Sequence, residues 1–389
     1  MKSIINGLRG WIRGISEIER FRKELKAYHA IEHVFLVSSG KAALYLILKA
    51  LKSLQPDRDE VVVPAFTCYS VPSAIMRAGL RVRLCDIDPE TLDFDYTLLE
   101  EIIKSDTSER ILSLIPTHLF GLPSDVARVR RLITGTGIKL VEDAAQSMGA
   151  KVKGQFLGTL GDVGFFSLGR GKAFSTVEGG IVLTSNTHIA TALKEELSQF
   201  REYRVPEIIG LALQSIILSI FMDPRFFWFP KSLPFLNLGE THFERHFPLK
   251  KLSAFQAGVS REWQDSLEKI SSIRKRNSAG WTEELKRSEF LNQFKVIETA
   301  IPLLRYPLLV RQSDQRWALL KASEARGLGV MQAYPESLDR LDELAQKDHC
   351  ACCLNAHAVA QQMITLPVHG YVSRMDCQKF RELFALVET

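Results

Sequence analysis

Residues 139–184 read KLVEDAAQSMGAKVKGQFLGTLGDVGFFSLGRGKAFSTVEGGIVLT. Short runs rich in apolar and β-branched residues predict three strands here, 139–141, 163–167 and 180–184. Asp143 follows the first strand, at the carboxyl edge where open α/β sheets bind their ligands. Lys172 follows the second strand in a turn rich in glycine and serine. The segment therefore predicts part of an α/β sheet with reactive side chains in its turns.

The same alternation of strands and amphipathic helices extends from about residue 34 to residue 185 and predicts a large α/β domain with a mostly parallel mixed sheet. Beyond residue 250, a charged amphipathic segment (261–286) precedes two apolar runs (304–310 and 364–367), which predicts a smaller C-terminal α+β domain. The predicted organisation has three parts: an N-terminal amphipathic segment (1–30), a large domain (31–249) with an apolar insertion at about 203–245, and a small domain (250–389).

Composition narrows the class of protein. The chain has 389 residues, 46% of them hydrophobic and 24% charged, with a formal net charge of +5, as is ordinary for a globular protein. No run of Lys and Arg interleaves with aromatic residues, so we expect no nucleic-acid partner. Six scattered cysteines favour a reducing cytoplasm over a secreted disulfide scaffold. The N-terminus lacks the pattern of a cleavable signal peptide.

Two apolar segments do not fit either domain. Residues 1–16 place isoleucines, Leu8 and Trp11 at helical spacing opposite Lys2, Arg9 and Arg13, which is typical of a helix lying on a membrane, although three glycines weaken that helix. Residues 208–222, followed by aromatic residues up to 229, are too short for a membrane span, which takes roughly 20 residues. A buried helix or a subunit interface is favoured for this run over membrane docking.

Three features are suited to one kind of chemistry. A lysine beside a bound anion, as Lys172 could be, becomes nucleophilic and can form a Schiff base. A carboxylate at Asp143 could pair with a protonated pyridine nitrogen. SSGKAAL (38–44) begins a helix whose free N–H groups could bind a phosphate. Taken singly, each has a more common structural explanation: a solvated lysine, a helix cap and a turn around Gly40.

In their order and separation, these features resemble the DegT/DnrJ/StrS sugar aminotransferases, which are pyridoxal-phosphate (PLP) enzymes of fold type I. The resemblance runs from about residue 34 to the C-terminus. It rests on SSGKAAL (38–44), DEVVVPAFTCYSVPSAIMRAGLRVRLCDIDPETLDFD (59–95), IPTHLFGLPSD (115–125), VEDAAQSMGA (141–150), the lysine segment and ITLPVH (364–369). It implies the PLP cofactor and a homodimer with its sites at the interface.

The resemblance also implies roles for individual residues. It makes Lys172 the Schiff-base lysine, Asp143 the partner of the pyridine nitrogen and Gln146 a neighbour of the ring hydroxyl. His118 matches a recurrent histidine near the cofactor, although a core histidine satisfied by backbone is an equal alternative. The phosphate cradle is assigned to Ser167 with Ser39, Gly40 and Lys41.

The chain departs from the family pattern at three places. Lys41 replaces the usual threonine, so an ammonium would meet the phosphate. Cys68 stands where an aromatic ring usually stacks on the cofactor, which leaves Phe66 or Tyr69 to supply the ring. Leu249 and Lys251 replace the Asn and Arg that a neighbouring subunit gives.

Other site types lack the spacing they need. A P-loop would require Gly at 166 and Ser or Thr after the GK pair, and no GxGxxG follows a strand. His349, Cys350, Cys352, Cys353 and His357 are of zinc-binding types but lack paired Cys-x-x-Cys spacing, so we predict no metal.

The sequence thus predicts an aminotransferase that moves an amino group from an amino acid, by resemblance glutamate, to a keto-sugar that is nucleotide-linked, in glycan or polysaccharide precursor synthesis. A PLP-dependent sugar dehydratase is one alternative, but such family members replace the lysine with histidine. A non-catalytic, membrane-associated regulator is another, with contact through 1–16 and 208–229. The identities of the sugar, the aminated carbon and the donor are left open.

Overall fold

The computed structural model describes residues 2–221, 243–286, 291–293, 301–310, 312–344 and 353–388. Its main sheet has seven strands, in the order β1-β9-β8-β5-β4-β2-β3. These are β1 His33–Val37, β2 Glu60–Pro64, β3 Arg81–Cys85, β4 Ile111–Leu114, β5 Lys139–Asp143, β8 Val163–Ser167 and β9 Gly180–Thr184, with a small hairpin of β6 Lys151–Val152 and β7 Gln155–Phe156 between β5 and β8.

Strand direction brings the candidate residues to one edge. Strands β3, β2, β4, β5 and β8 pair in parallel. Strand β9 runs antiparallel to both β8 and β1, so β1 is parallel to β8. The carboxyl ends of six strands and the start of β9 therefore lie at the same edge of the sheet.

Helices connect the strands and cover the sheet. In chain order they are α1 Lys2–Arg13, α2 Ile15–His29, α3 Gly40–Leu54, α4 Ser70–Arg77, α5 Tyr96–Lys104, α6 Val126–Leu132, α7 Thr187–Ser198, α8 Val205–Phe221, α9 Ala254–Val259, α10 Trp263–Leu285, α11 Ser313–Arg326, α12 Leu354–Gln362 and α13 Arg374–Glu388. Side chains of Asp95, Asp125 and Asn186 accept backbone N–H groups at the starts of α5, α6 and α7, the usual chemistry of a helix N-cap.

The core forms where α3 crosses the sheet. Leu44, Leu46, Ile47 and Leu51 on α3 are almost completely buried. Strands β4 and β9 are buried along their whole length, as expected of strands with both faces covered. Burial of this extent supplies most of the favourable free energy of folding.

A second, antiparallel sheet lies in the C-terminal part. It consists of β10 Leu291–Gln293, β11 Tyr306–Val310 and β12 Met363–Leu366. Helix α10 reaches it, since the indole N–H of Trp281 donates to the carbonyl of Pro367 at 2.8 Å. The predicted runs 304–310 and 364–367 are strands to within two residues. The boundary predicted at 249/250 stays a prediction.

Helix α1 forms as the sequence predicts, and its glycines have a packing role. A Cβ on Gly10 would lie 2.6 Å from the carbonyl oxygen of Ala254 and from Cα of Gly258 on α9. A Cβ on Gly7 would lie 2.7 Å from the ring of Phe255. The expectation that these glycines only weaken α1 is therefore incomplete, because they allow close approach of two helices.

Candidate active site

The candidate residues meet at the carboxyl edge of the main sheet. Ser39 and Gly40 follow β1, Asp143 ends β5 and Ser167 ends β8. Gly180 begins the antiparallel β9 at the same edge, so close to β1 that an added Cβ would lie 2.3 Å from the carbonyl oxygen of Ser39. The topology thus brings together residues that are up to about 140 positions apart in the chain.

The N-terminus of α3 faces the end of β8. The Ser39 side chain caps the helix by accepting the Ala42 N–H at 3.1 Å. A Cβ on Gly40 would lie 3.0 Å from Cβ of Ser167 and 3.2 Å from its hydroxyl, so glycine is what allows this approach. The free N–H groups of the first helical turn and the Ser167 hydroxyl together form a cradle suited to a phosphate.

Lys41 lies beside this cradle, but its ammonium already has a partner. It forms an ion pair with the carboxylate of Glu244 and lies 5.2 Å from the centre of the Phe247 ring. The backbone N–H of Lys41 belongs to the first turn of α3 and points with the helix dipole. In this arrangement the backbone N–H of Lys41, and not its ammonium, is the group that could bind the phosphate.

Asp143 is a buried carboxylate with few partners. Its side chain accepts the Ala145 N–H at 3.0 Å, and among the described residues no other hydrogen bond reaches it. Burial raises the pKa of Asp143, and the Ala145 N–H and the positive charge of Lys172 lower it by smaller amounts. The Thr117 hydroxyl, on the strand segment paired with Asp143, is also buried without a partner. A ligand with a protonated ring nitrogen would stabilise this carboxylate, so the site fits PLP.

His118 is held behind Asp143. Its Nε2 lies 3.0 Å from Glu142 Oε2, and its Nδ1 accepts the Ser124 N–H at 3.1 Å, which places the ring proton on Nε2. The Glu142 carboxylate in turn accepts N–H groups from the Gly158–Gly161 turn. Both ring nitrogens of His118 are thus engaged by protein, as the core-histidine alternative describes.

Tyr334, which the sequence did not single out, enters the site from the C-terminal part. Its hydroxyl accepts from Nε2 of Gln146 at 3.1 Å. Burial raises the pKa of Tyr334 well above its ordinary value, and the negative charge of Asp143 contributes. Gln146 completes its bonding by accepting the Phe120 N–H at 3.1 Å. No local motif surrounds Tyr334, so the sequence carried no signal for it.

Phe66 and Tyr69, the two aromatic residues predicted to replace the usual ring at position 68, both pack against Tyr334. Phe66 packs edge-on to Tyr334, with ring centres 5.5 Å apart. The Tyr69 hydroxyl donates to the Glu336 carbonyl and accepts the Glu336 N–H, both at 2.9 Å. Both rings are buried against Tyr334, so the three aromatic residues form one cluster.

Lys172 lies in the turn after β8. Its N–H donates to the carbonyl of Gly169 at 3.3 Å, and its own carbonyl accepts from Arg274 on α10 at 3.3 Å. Its ammonium is close enough to Asp143 for its charge to lower the pKa of that carboxyl. Lys172, Asp143 and the phosphate cradle therefore lie at the same edge of the sheet.

The family can now be identified. Residues 4–204, just over half of the chain, match the DegT/DnrJ/EryC1/StrS aminotransferase family. The chain belongs to this family. The predicted resemblance is confirmed, and so is the α/β fold class.

Individual relatives match over part of their length. The chain is 33% identical over 196 residues to L-glutamine:2-deoxy-scyllo-inosose aminotransferase of Streptomyces kanamyceticus, covering 50% of this chain and 44% of that protein. It is 31% identical over 176 residues to GDP-4-keto-6-deoxy-D-mannose 3-dehydratase of Yersinia pseudotuberculosis, covering 44% of each. The chain spans about half the length of the curated relatives it matches.

A solved structure extends the likeness of fold to nearly the whole chain. An aminotransferase of this family from Brucella abortus superposes with a TM-score of 0.74 at 22% identity, covering 95% of this chain and 89% of that one. At this identity the match shows the fold alone.

No helix among the described residues is long and apolar enough to cross a membrane. Within the same residues, no cluster of three or more His, Cys, Asp or Glu could hold a metal. Of the five zinc-type residues discussed above, His349, Cys350 and Cys352 lie outside the described ranges.

Proposed function

We propose that this protein is a PLP-dependent aminotransferase that moves an amino group from an amino acid to a keto-sugar. One observation carries the proposal: the buried Asp143 carboxylate lies within electrostatic reach of Lys172 at the edge that also holds the phosphate cradle. Glutamate as donor and a nucleotide-linked sugar as acceptor are expected from the family resemblance. PLP, when bound, supplies an aldehyde that condenses with amines and a ring that draws electrons from the carbon losing a proton.

Each candidate residue has its own role in the proposed reaction. Asp143 accepts the hydrogen bond of the ring N–H and keeps that nitrogen protonated. Nζ of Lys172 would hold the cofactor and, once released, would take a proton from the substrate carbon as general base and deliver it as general acid to the cofactor carbon that the lysine had held. Gln146, which bonds the Phe120 N–H and the Tyr334 hydroxyl, would contact the ring hydroxyl. The cradle of Ser39–Lys41 and Ser167 binds the phosphate.

The first experiment is the visible absorption of purified protein with PLP, before and after adding L-glutamate. We expect a band of lysine-bound cofactor that glutamate converts to the pyridoxamine form. Lys172→Ala should not form the band, whereas Lys194→Ala, which removes an exposed lysine of α7, should behave as wild type. A band that no amino donor shifts would favour the dehydratase or the regulator. Absence of any band would overturn the proposal.

The proposal includes a cytoplasmic homodimer with sites at its interface. Lys251 replaces a residue that a neighbouring subunit gives in the family, and in this chain it forms an ion pair with Glu202 at 3.2 Å. Lys250 is similarly bound to Glu207 at 3.0 Å. A molar mass of one chain by light scattering at micromolar concentration would contradict the dimer.

We also propose peripheral contact with an anionic membrane through 1–16 and 208–229. In α1 the glycines face the protein, whereas Ile12 of α1 and Ile15, the first residue of α2, are 86% and 76% exposed. Helix α8, which contacts α1, exposes a stripe of its own. Ten of the sixteen exposed large hydrophobic side chains among the described residues lie on these segments: Ile5, Leu8, Trp11, Ile12, Ile15, Val205, Ile209, Leu213, Ile216 and Ile220. Such a concentration marks an interaction surface.

Charge favours lipid over a second copy of this chain as the occupant. Lys2, Arg9 and Arg13 are exposed beside the apolar face, and α1 contains no acidic residue. Lys2 pairs with Glu262 at 2.7 Å and Arg13 with Glu17 at 3.8 Å at the edge of this face. A two-fold contact through this face would bring like charges together, whereas anionic headgroups would neutralise them. Residues 222–229 of the surface lie outside the described ranges.

Vesicle co-sedimentation tests this contact. We expect wild type to pellet with anionic vesicles but not with neutral ones, and Ile12→Asp/Ile15→Asp to remain in solution. Leu354→Asp, an exposed residue on α12, is the matched control and should pellet. If the double variant instead changes only the molar mass, the surface is a subunit interface. If wild type never pellets, the proposed membrane contact is wrong.

A further inference from the structure

One face of α10 lies against the turn that carries Lys172. Arg274 and Ser278 are four residues apart, so they share this face of the helix. Both are buried, with 9% and 5% of their surface exposed. Nη2 of Arg274 donates to the carbonyl of Lys172 at 3.3 Å, which fixes the guanidinium next to the candidate catalytic lysine.

Two polar atoms on this face of α10 have no hydrogen-bond partner. Nε of Arg274 and the hydroxyl of Ser278 are buried without a hydrogen bond, and among the described residues no carboxylate forms an ion pair with Arg274. Burial lowers the pKa of Arg274 to about 10. A buried cation without a counter-charge is unfavourable, so an anion that reached this position would remove the cost.

A further guanidinium and an imidazole come from the C-terminal part. Arg305, before β11, donates to the Thr365 hydroxyl at 2.7 Å and to the Gly329 carbonyl at 2.7 Å, which fixes its plane without a carboxylate. His369 follows β12, and its carbonyl accepts from Asn277 of α10 at 2.9 Å. Burial lowers the pKa of His369, and the charges of Arg305 and Arg274 lower it further while Asp376 acts in the opposite direction, so the imidazole is a neutral hydrogen-bonding group.

We propose that Arg274, Ser278, Arg305 and His369 form a cationic cleft that binds a carboxylate or phosphate group of the substrate that reacts at Lys172. The inference rests on the proposed function. A guanidinium donates two parallel hydrogen bonds to such groups, and the unpartnered Nε and Ser278 hydroxyl are the donors available. The anion has two candidate sources, the carboxylate of the amino donor and the phosphate of a nucleotide-linked sugar.

Calorimetric titration of PLP-loaded protein with two unreactive probes tests the cleft and separates the sources. Glutarate represents the donor carboxylates, and inorganic pyrophosphate represents the sugar diphosphate. We expect Arg274→Gln to weaken the binding of glutarate or of pyrophosphate at least tenfold. Arg274→Lys should recover part of that affinity, because it keeps the positive charge but loses the two parallel N–H donors of the guanidinium. Lys275→Gln, an equal change of charge at an exposed neighbour, should stay within twofold of wild type.

The outcomes are distinct from those of the function test. The inference is overturned if wild type binds neither probe, or if Arg274→Gln binds both as wild type does while its cofactor band is normal. If wild type forms no cofactor band, the proposed function fails, and the same titrations on cofactor-free protein still decide the cleft. Should Arg274→Gln not fold, Ser278→Ala serves instead, with an expected loss of about threefold and the same contradicting result.

Discussion

At the scale of single residues, Asp143 is a buried carboxylate with most of its hydrogen-bonding capacity unused. A buried carboxylate with one hydrogen bond is an unfavourable group for a folded protein to keep. The same burial leaves it ready for a cationic ring nitrogen. Glu142, next to it in sequence, is equally buried but accepts from His118 and several backbone N–H groups. Neighbouring acids thus have different roles because their partners differ.

The raised pKa of Asp143 predicts a pH dependence of stability in the cofactor-free protein. Its folded pKa lies above the unfolded value of about 3.9, so its favourable contribution is complete below that value and is lost as the pH rises through the folded pKa. Each unit of elevation corresponds to about 1.4 kcal/mol. Asp143→Asn should therefore be more stable than wild type at pH 7, with the difference shrinking towards pH 4. Urea unfolding across this range checks it, and parallel curves would contradict it.

Tyr334 gives a second prediction at this scale. Tyr334→Phe removes the hydroxyl that accepts from Nε2 of Gln146, leaving a buried donor unpaired at a cost of about 1–3 kcal/mol. Released from this bond, Gln146 should also contact the cofactor less well. We expect a lower unfolding temperature and weaker PLP affinity, measured by calorimetry. Tyr371→Phe, at an exposed tyrosine, is the control, and equal PLP affinity in both variants would contradict a role of Tyr334 at the site.

At the scale of elements, the contact between α1 and α9 depends on small residues. Gly258 would place a Cβ 2.3 Å from the carbonyl oxygen of Asn6, and Gly10 faces it from α1. Such close approach of backbones leaves Ile5, Leu8, Trp11 and Ile12 on the outer surface of α1, whereas Ile4 is buried. The amphipathic pattern of α1 is thus genuine, but its apolar face is not the face that the fold buries.

Gly10→Ala should therefore detach α1. The new Cβ would overlap backbone atoms of α9, and overpacking of this kind costs about 1–3 kcal/mol. Hydrogen exchange of the α1 amides should become faster. Gly210→Ala in α8 is the matched control, because no atom lies within 4 Å of its Cβ, and it should stabilise that helix by up to about 1 kcal/mol. Unchanged exchange in Gly10→Ala would contradict the packing role.

At the scale of the whole molecule, the main sheet and the C-terminal part meet at the site. Tyr69 bonds the backbone of Glu336, Gln146 bonds Tyr334, and the Leu338 N–H donates to the Ala65 carbonyl at 2.8 Å. A ligand bound at the candidate active site would contact both the main sheet and the C-terminal part. Binding should therefore stabilise the entire fold, since a ligand that binds only the folded state shifts the unfolding equilibrium.

PLP should accordingly raise the stability of wild type by about 2.7 kcal/mol at a concentration of 100 times its Kd. Lys172→Ala should show a smaller gain at the same concentration, because the phosphate cradle and Asp143 remain but the link to the lysine is lost. Thermal unfolding with and without PLP measures both. Equal gains in the two proteins would mean that Lys172 does not hold the cofactor.

The sequence by itself determined the fold class, most strand positions and the family. Strands 163–167 and 180–184 were predicted to the residue because their apolar runs end at glycine or polar residues. Strand β1 and helices α4 and α5 were not predicted. The partners of Asp143, the ion pair of Lys41 with Glu244, Tyr334 and the cationic cleft were decided only by the tertiary structure. Periodicity and motifs report local burial and turns. The contacts of Lys41 with Glu244, Gln146 with Tyr334 and Arg274 with Lys172 instead join residues about 100 or more positions apart, and those of Asp143 join separate strands and turns, so their proximity depends on strand order and packing.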